Sequence, residues 1–176
     1  LYFSLLMKKA RPDCEVTVVE RNRADDTFGW GVVFSNETLG NFREADPETF
    51  QRITAAFARW DNIDTYFKDV VIRSGGHGFC GIARRRLLQI LQERCAELGV
   101  SLEFSRESEA LEEFAGYDLV VAADGINSRV RTAHEAVFEP TIEPGKARFI
   151  WLGTSRHFEA FTFIIRESEH GLFQVH

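Results

Sequence analysis

The chain has 176 residues, 44% hydrophobic and 27% charged, an ordinary globular composition that excludes a disordered or collagen-like chain and fits one domain better than two. With 21 basic against 27 acidic residues the net charge is -6, which argues against a phosphate-backbone-binding surface and so against nucleic acid as a partner. No apolar run approaches the ~18 residues needed to span a membrane. The cysteines Cys14, Cys80 and Cys95 include no C-x-x-C pair, and they read as buried thiols in a reducing cytosol, not as a disulfide framework or a zinc site.

Leu1 to Arg11 reads as the body of a helix. Leu1, Leu5 and Leu6 share a face, Lys8, Lys9 and Arg11 lie in the last turns, and Pro12 stops it. The order is apolar before basic, the reverse of a secretory signal. A helix that starts without a cap implies residues upstream. Glu15 to Glu20 reads as a buried strand ending in a carboxylate. Helix, turn and strand ending in an acid form the second half of a βαβ nucleotide-binding unit, in which the acid lies about 20 residues after a glycine loop. Counting back from Glu20 puts that loop just before Leu1. An ordinary α/β unit with a solvated Glu20 fits equally well.

Arg21 to Asn36 is polar, then glycine-rich through Phe28-Gly29-Trp30-Gly31-Val32-Val33-Phe34. These glycines allow close backbone approach, to a flat group or within a tight turn around a core Trp30. Pro47 to Trp60 is expected to be a helix capped by Asp46, with Phe50, Ile53, Phe57 and Trp60 as its core stripe. Ile63 to Arg73 is strand-like and Ser74 to Gly78 is a loop. Ile82 to Leu98 is a helix preceded by a short strand, with Leu87, Leu88, Leu91, Cys95 and Leu98 on one face and Gly99 closing it. Val100 to Phe104 and Tyr117 to Ala123 read as strands, the latter buried. A helix follows around Ser128 to Glu135, and strands are expected at Ala147 to Thr154, Phe161 to Arg166 and Gly171 to His176. Alternating elements followed by consecutive strands imply an α/β domain running into an antiparallel layer.

Three clusters bear on chemistry. Arg84, Arg85 and Arg86 open the long helix, where cations oppose the macrodipole. Either an anion such as a dinucleotide diphosphate partners one of them, or they pair with local acids. Asp124-Gly125 ends a hydrophobic segment, as Glu20 does, at the strand end where α/β folds bind ligands. It either orients a ribose or phosphate, or caps the next helix, a role open also to Asn127 and Ser128. The five histidines show no metal-binding spacing and no G-x-S-x-G elbow is present. These groups suit a nucleotide cofactor, which would carry the hard chemistry.

Val18-Val19-Glu20-Arg21, Arg84-x-x-Leu87-x-x-x-Leu91 and Asp118 to Arg131 around Asp124-Gly125 together resemble the FAD-dependent aromatic monooxygenases of the para-hydroxybenzoate hydroxylase type. Gly29 to Ser35 and Phe149 to Ser155 are similar to the branch holding salicylyl-CoA 5-hydroxylase, 2-aminobenzoyl-CoA monooxygenase and the violacein tryptophan hydroxylase. The resemblance covers the whole chain but only about the first half of a family member, so the chain is expected to be incomplete at both ends. It implies a Rossmann-like FAD/NAD(P)-binding domain over 1–141 and the start of an antiparallel substrate-binding sheet over 142–176.

By that resemblance Glu20 binds the adenosine ribose with Arg21 beside the adenine. Arg84 contacts the ribityl-diphosphate region. Asp124 and Gly125 hold the diphosphate-ribityl side, and Gly29, Trp30, Gly31 and Val32 form a loop on the substrate side of the isoalloxazine. FAD is the implied cofactor, NADH or NADPH the reductant, oxygen the co-substrate and a flavin hydroperoxide the hydroxylating species. The substrate is an aromatic small molecule or an aryl-CoA thioester, in a cytoplasmic enzyme. No catalytic residue and no metal is implied. Two family fingerprints are missing: the first glycine loop, and a later Gly-Asp motif, since none of the 13 glycines precedes an Asp. The fragment alone is therefore expected to be inactive. The competing readings are a non-catalytic Rossmann-like module and a flavin-independent NAD(P) reductase.

Overall fold

The computed structural model describes residues 1–34 and 36–176. Ser35, the last residue of the expected Gly29–Ser35 loop, lies outside the described residues. In chain order the elements are α1 (Tyr2–Ala10), β1 (Thr17–Glu20), β2 (Gly31–Phe34), α2 (Asn36–Ala45), α3 (Pro47–Ala55), β3 (Ala58–Trp60), β4 (Ile63–Phe67), β5 (Val70–Ser74), β6 (Phe79–Ala83), α4 (Arg84–Glu97) and β7 (Ser101–Phe104). A 3-10 turn at Leu111–Phe114 follows, then α5 (Arg129–Ala133), α6 (Glu135–Phe138), β8 (Phe161–Ser168) and β9 (Gly171–Val175). They fall into two compact units. One comprises Leu1–Val18, Asp25–Leu102 and Trp151–His176; the other comprises Val19–Ala24 and Glu103–Ile150. The architecture is mixed α/β, as expected.

The first unit holds two apolar clusters. In one, Leu5 of α1 packs with Leu91 and Cys95 of α4 and with Val100, flanked by Leu1, Leu6, Val16 and Val18. The helical spacing of those leucines puts them there. Lys8 ends α1 by donating to the carbonyls of Pro12 and Cys14, both at 2.7 Å. In the second cluster Phe34, Leu39, Ile53, Cys80, Ile82 and Ile90 are buried, with Phe42, Phe50 and Phe57 packed against them. Phe34 meets the Phe42 ring edge-on at 5.7 Å, a favoured aromatic geometry.

Between these clusters lies Asp46, 1% exposed. Its carboxylate caps α3 by accepting from Thr49 N (3.3 Å) and from Thr49 Oγ1 (2.6 Å). It also accepts from Arg94 Nε of α4 (3.1 Å) and Lys9 Nζ of α1 (3.0 Å). Burial pushes this carboxyl up, but the hydrogen bonds from Arg94, Thr49 and Lys9 outweigh it and hold it well below the usual carboxylate range.

The sheets depart from expectation in instructive places. The helix from Pro47 ends at Ala55, so Phe57 and Trp60 do not continue its stripe. Thr54 Oγ1 donates back to Phe50 O (2.8 Å), a bond that loosens helix ends, and Ala58–Trp60 pairs with β6 instead. β6 is central to a three-stranded antiparallel sheet of order β2-β6-β3. The strand expected over Ile63 to Arg73 is a hairpin. Its register brings Phe67 opposite Val70 across a two-residue turn in which Lys68 has φ 54°. Asp64 sits opposite Arg73, which binds it bidentately at 2.6 Å. β8 lies parallel to β4 and β9 antiparallel to β8, completing a four-stranded mixed sheet of order β5-β4-β8-β9. The helix expected from Ile82 starts at Arg84, because Ile82 and Ala83 belong to β6. Gly99, at φ 82°, closes it as expected. α2, with Leu39 buried, was not expected.

In the second unit Arg106 N–H donates to Glu20 O (3.0 Å) as β1 and β7 pair. The buried strand expected over Tyr117 to Ala123 is neither strand nor buried: Leu119, Val120 and Val121 are exposed and join no sheet among the described residues. Likewise Ala147 to Thr154 forms no strand, and Phe149, Ile150 and Leu152 are exposed. β propensity alone does not make a strand where no neighbour supplies hydrogen bonds. The helix around Ser128 to Glu135 is two short helices, α5 and α6, meeting at His134.

The Asp46 network yields a stability prediction. Because the folded carboxyl titrates below its unfolded value, the unfolded chain binds that proton more readily. The stabilisation is therefore present above about pH 4, the unfolded aspartate range, and fades as pH falls below it. Asp46→Ala in the full-length protein should cost about 3 kcal/mol at pH 7 by urea denaturation. Asp46→Asn, which keeps the cap, should cost less, and the gap to wild type should shrink below about pH 4.

Candidate functional site

The first unit brings Arg84 and the Gly29–Val32 loop together. Gly31 stands opposite Ala83 in the β2–β6 ladder, and Arg84 N–H donates to Trp30 O at 3.0 Å. The loop therefore lies beside the first residue of α4. That helix end has no side-chain cap and no acid in its first turn, which leaves its N–H groups and dipole suited to an anion. Two of the three arginines are engaged locally. Arg85 binds Asp25, at 3.1 Å to the carbonyl and 3.4 Å to the carboxylate, and Arg86 lies 3.5 Å from Glu93. Arg84 has no acidic partner among the described residues. The cluster thus divides: local pairing explains Arg85 and Arg86, and an external anion fits Arg84.

The loop itself is shaped by close approach. Gly29 has φ 79°, which excludes most side chains. Trp30 is not a core residue; it is 67% exposed. Its ring lies on Gly153, where an added Cβ would fall 2.9 Å from Trp30 Cζ2, and Trp151 lies on Gly29, where the corresponding distance to Cζ3 is 3.0 Å. Gly31 is confined by Ile82 O, and Val32 is half-buried beside the second apolar cluster. Sequence reasoning assigned no site role to Trp151 or Gly153. A signal was there, since Gly29-Trp30 and Trp151-Leu152-Gly153 both set a tryptophan within two residues of a glycine.

The second unit holds the other candidates. Glu20 ends β1, and its Oε1 accepts from Asn22 N (2.8 Å) and Asn22 Nδ2 (2.7 Å). Its second oxygen has no partner among the described residues and is open to a hydroxyl. Arg21 is exposed beside it. Asp124 faces the start of α5, its Oδ2 accepting from Val130 N at 3.3 Å. A hydrogen bond from Ser128 and others from the Val130, Asp124 and Arg129 backbone outweigh burial and hold its carboxyl below the usual range. Ser128 is the cap, its Oγ accepting from Arg131 N at 3.0 Å. Gly125 has φ 82°, and a Cβ added there would meet no atom within 4 Å beyond its chain neighbours. Asp124, Gly125 and Ser128 therefore build a helix start, the structural alternative raised above. No hydrogen bond or ion pair joins Glu20 to Asp124 among the described residues.

Other chemistry is sparse. No group of three or more His, Cys, Asp or Glu is arranged to hold a metal ion among the described residues. Ser74 Oγ and His77 Nε2 lie 2.8 Å apart, a pair the sequence did not suggest. It is exposed, and no carboxylate bonds the ring among the described residues, so the orienting member of a triad is lacking.

No family model matches the chain. It is 43% identical over 176 residues to a salicyloyl-CoA 5-hydroxylase of a Streptomyces species, which covers all of this chain and 34% of that protein. It is 30% identical over 169 residues to the 3-hydroxy-4-methyl-anthranilyl-[aryl-carrier protein] 5-monooxygenase of Streptosporangium sibiricum, covering 96% of this chain and 47% of the relative. Protodeoxyviolaceinate monooxygenase of Chromobacterium violaceum is 30% identical over 184 residues, covering 100% and 48%. The chain thus spans about a third to a half of the length of these curated relatives. Among solved structures, a putative FAD containing monooxygenase from Photorhabdus luminescens aligns with TM-score 0.54 and 21% identity over 76% of this chain and 39% of that one. The tetrameric form of 2-methyl-3-hydroxypyridine-5-carboxylic acid oxygenase aligns with TM-score 0.51 and 16% identity over 60% and 28%. The resemblance read from the motifs and these comparisons agree: the relatives are named hydroxylases and monooxygenases, and the fold is shared with oxygenases.

The helix start is testable. Gly125→Ala meets open space, so its whole cost is backbone strain, about 1–2 kcal/mol. Ser128→Ala removes the cap and should cost about 1 kcal/mol. Denaturant titration of the full-length variants measures both.

Proposed function

We propose that this chain is part of an FAD-dependent, NAD(P)H-using monooxygenase that hydroxylates an aromatic substrate carried as an aryl-CoA or aryl-carrier thioester. The observation that carries the reading is the 43% identity to a salicyloyl-CoA 5-hydroxylase along all 176 residues. Residues 1–141 are assigned to the cofactor domain and 142–176 to the start of the substrate sheet. With three free cysteines, which suit a reducing compartment, we place the enzyme in the cytoplasm.

The residues fit the cofactor. Arg84, which has no acidic partner among the described residues and opens a helix without a side-chain cap, suits a diphosphate, which a guanidinium binds with two parallel bonds. Glu20 has a free carboxylate oxygen for a ribose hydroxyl, with Arg21 beside the adenine. Asp124 and Gly125 take the diphosphate-ribityl side through the helix start they build. The bound flavin would supply reduction by NADH or NADPH and the activation of oxygen. The chain's own part is to bind, to orient and to exclude water. Gly29, Trp30, Gly31 and Val32 do this on the substrate side, where a glycine-rich backbone lets a planar ring approach closely. No residue of this chain is assigned a proton-transfer role.

An FAD titration of the full-length protein, followed by flavin fluorescence, tests the reading. Binding near micromolar, equivalent to about -8 kcal/mol, is expected. Arg84→Ala should weaken it by about tenfold or more, the value of a hydrogen bond to a charged group. Asp124→Ala should weaken it further than Ser128→Ala, which removes a cap but no carboxylate. NAD(P)H consumption should then respond to aromatic acids or their CoA esters. A full-length protein that takes up no FAD overturns the proposal.

A further inference from the structure

We propose that Trp151 and Gly153 are positioning residues that clasp the Gly29–Val32 loop and so fix the wall against which the aromatic substrate lies. The substrate in this statement rests on the monooxygenase reading; the contact itself does not. Two segments about 120 residues apart exchange the same interaction. Trp151 covers Gly29, and Trp30 covers Gly153. A Cβ on Gly153 would fall 2.9 Å from the Trp30 indole, closer than real Cβ contacts come, and one on Gly29 would fall 3.0 Å from the Trp151 indole, tighter than most. Gly29 is required twice over, by this contact and by its φ of 79°. Gly153 is required by the contact alone.

The clasp is not core packing. Trp30 is 67% and Trp151 59% exposed, so large aromatic surfaces remain outward while part of each ring is seated on backbone. Indoles are rigid, with two side-chain torsions, and give a planar partner contact area at low entropic cost. The loop's backbone is anchored separately, because the Trp30 carbonyl receives Arg84 N–H at the start of α4.

The test uses Gly153→Ala in the full-length protein, alone and combined with Trp30→Phe, whose smaller ring leaves room for the added methyl. A displaced wall removes binding that ground and transition states share, so a rise of about tenfold in KM for the aromatic substrate is expected, with kcat within about twofold and FAD content unchanged. Trp30→Phe should relieve the effect, so that the double variant matches Trp30→Phe alone. An unchanged KM in Gly153→Ala, or a rise that Trp30→Phe does not relieve, overturns the proposal. Tryptophan emission of the substrate-free protein gives an independent readout. Gly153→Ala should shift the spectrum, and the shift should vanish in the Trp30→Phe background; an unshifted spectrum overturns the clasp. If the wild type takes up no FAD, that failure overturns the monooxygenase reading and the substrate role with it, while the emission comparison still decides the contact.

Discussion

A buried carboxylate must find cations or it will not stay charged, and Asp46 organises the first unit around that demand. Removing it from water costs several kcal/mol. Lys9, Arg94 and Thr49 offset the cost only if α1, α3 and α4 all converge on one point. That convergence sets the line of α4. The start of α4 follows directly from β6, and β6 carries β2 at its side. The pose of Arg84 and of the Gly29–Val32 loop is thus fixed from a position that touches neither.

The elements legible in the sequence are those whose signals are local or lie on one face. α1 and α4 announced themselves by leucine spacing, α3 by an Asp-Pro start, and the end of α4 by Gly99. β8 and β9 stood out as apolar runs bounded by turns. What misled was pattern without partner. Phe57 and Trp60 continue a helical spacing from Phe50 and Ile53, yet the helix stops at Ala55 and the β6 ladder claims Ala58 to Trp60. Leu119 to Val121 and Phe149 to Leu152 have strand composition, but they join no sheet among the described residues, and they stand exposed. α2 carried too few apolar residues to be noticed beside its glycine and charges.

The candidate site was legible to a similar degree. Three arginines at a positive helix end are an electrostatic anomaly visible in one dimension. Which of them lacks a partner depends on Asp25 and Glu93, and so on the fold. Asp124-Gly125 was ambiguous between ligand and cap, and the geometry gives it a capping role that does not exclude the other. The pairing of Trp30 with Gly153 escaped because close contact between distant segments leaves no periodicity to read.

The four-stranded sheet has a consequence for biosynthesis. β4 runs parallel to β8, and beside that pair Trp60 Nε1–H donates to Phe158 O across a separation of 98 residues. At elongation rates of about 5–20 residues per second, the β4–β5 hairpin waits about 5–20 s before its partner strand emerges. During that interval Ile63 to Phe67 presents an open edge to any other nascent chain. Such high contact order slows closure of the sheet. The α3–α4 pair, joined by Arg94 and Asp46 at a separation of 48 residues, can form while β8 is still to be made.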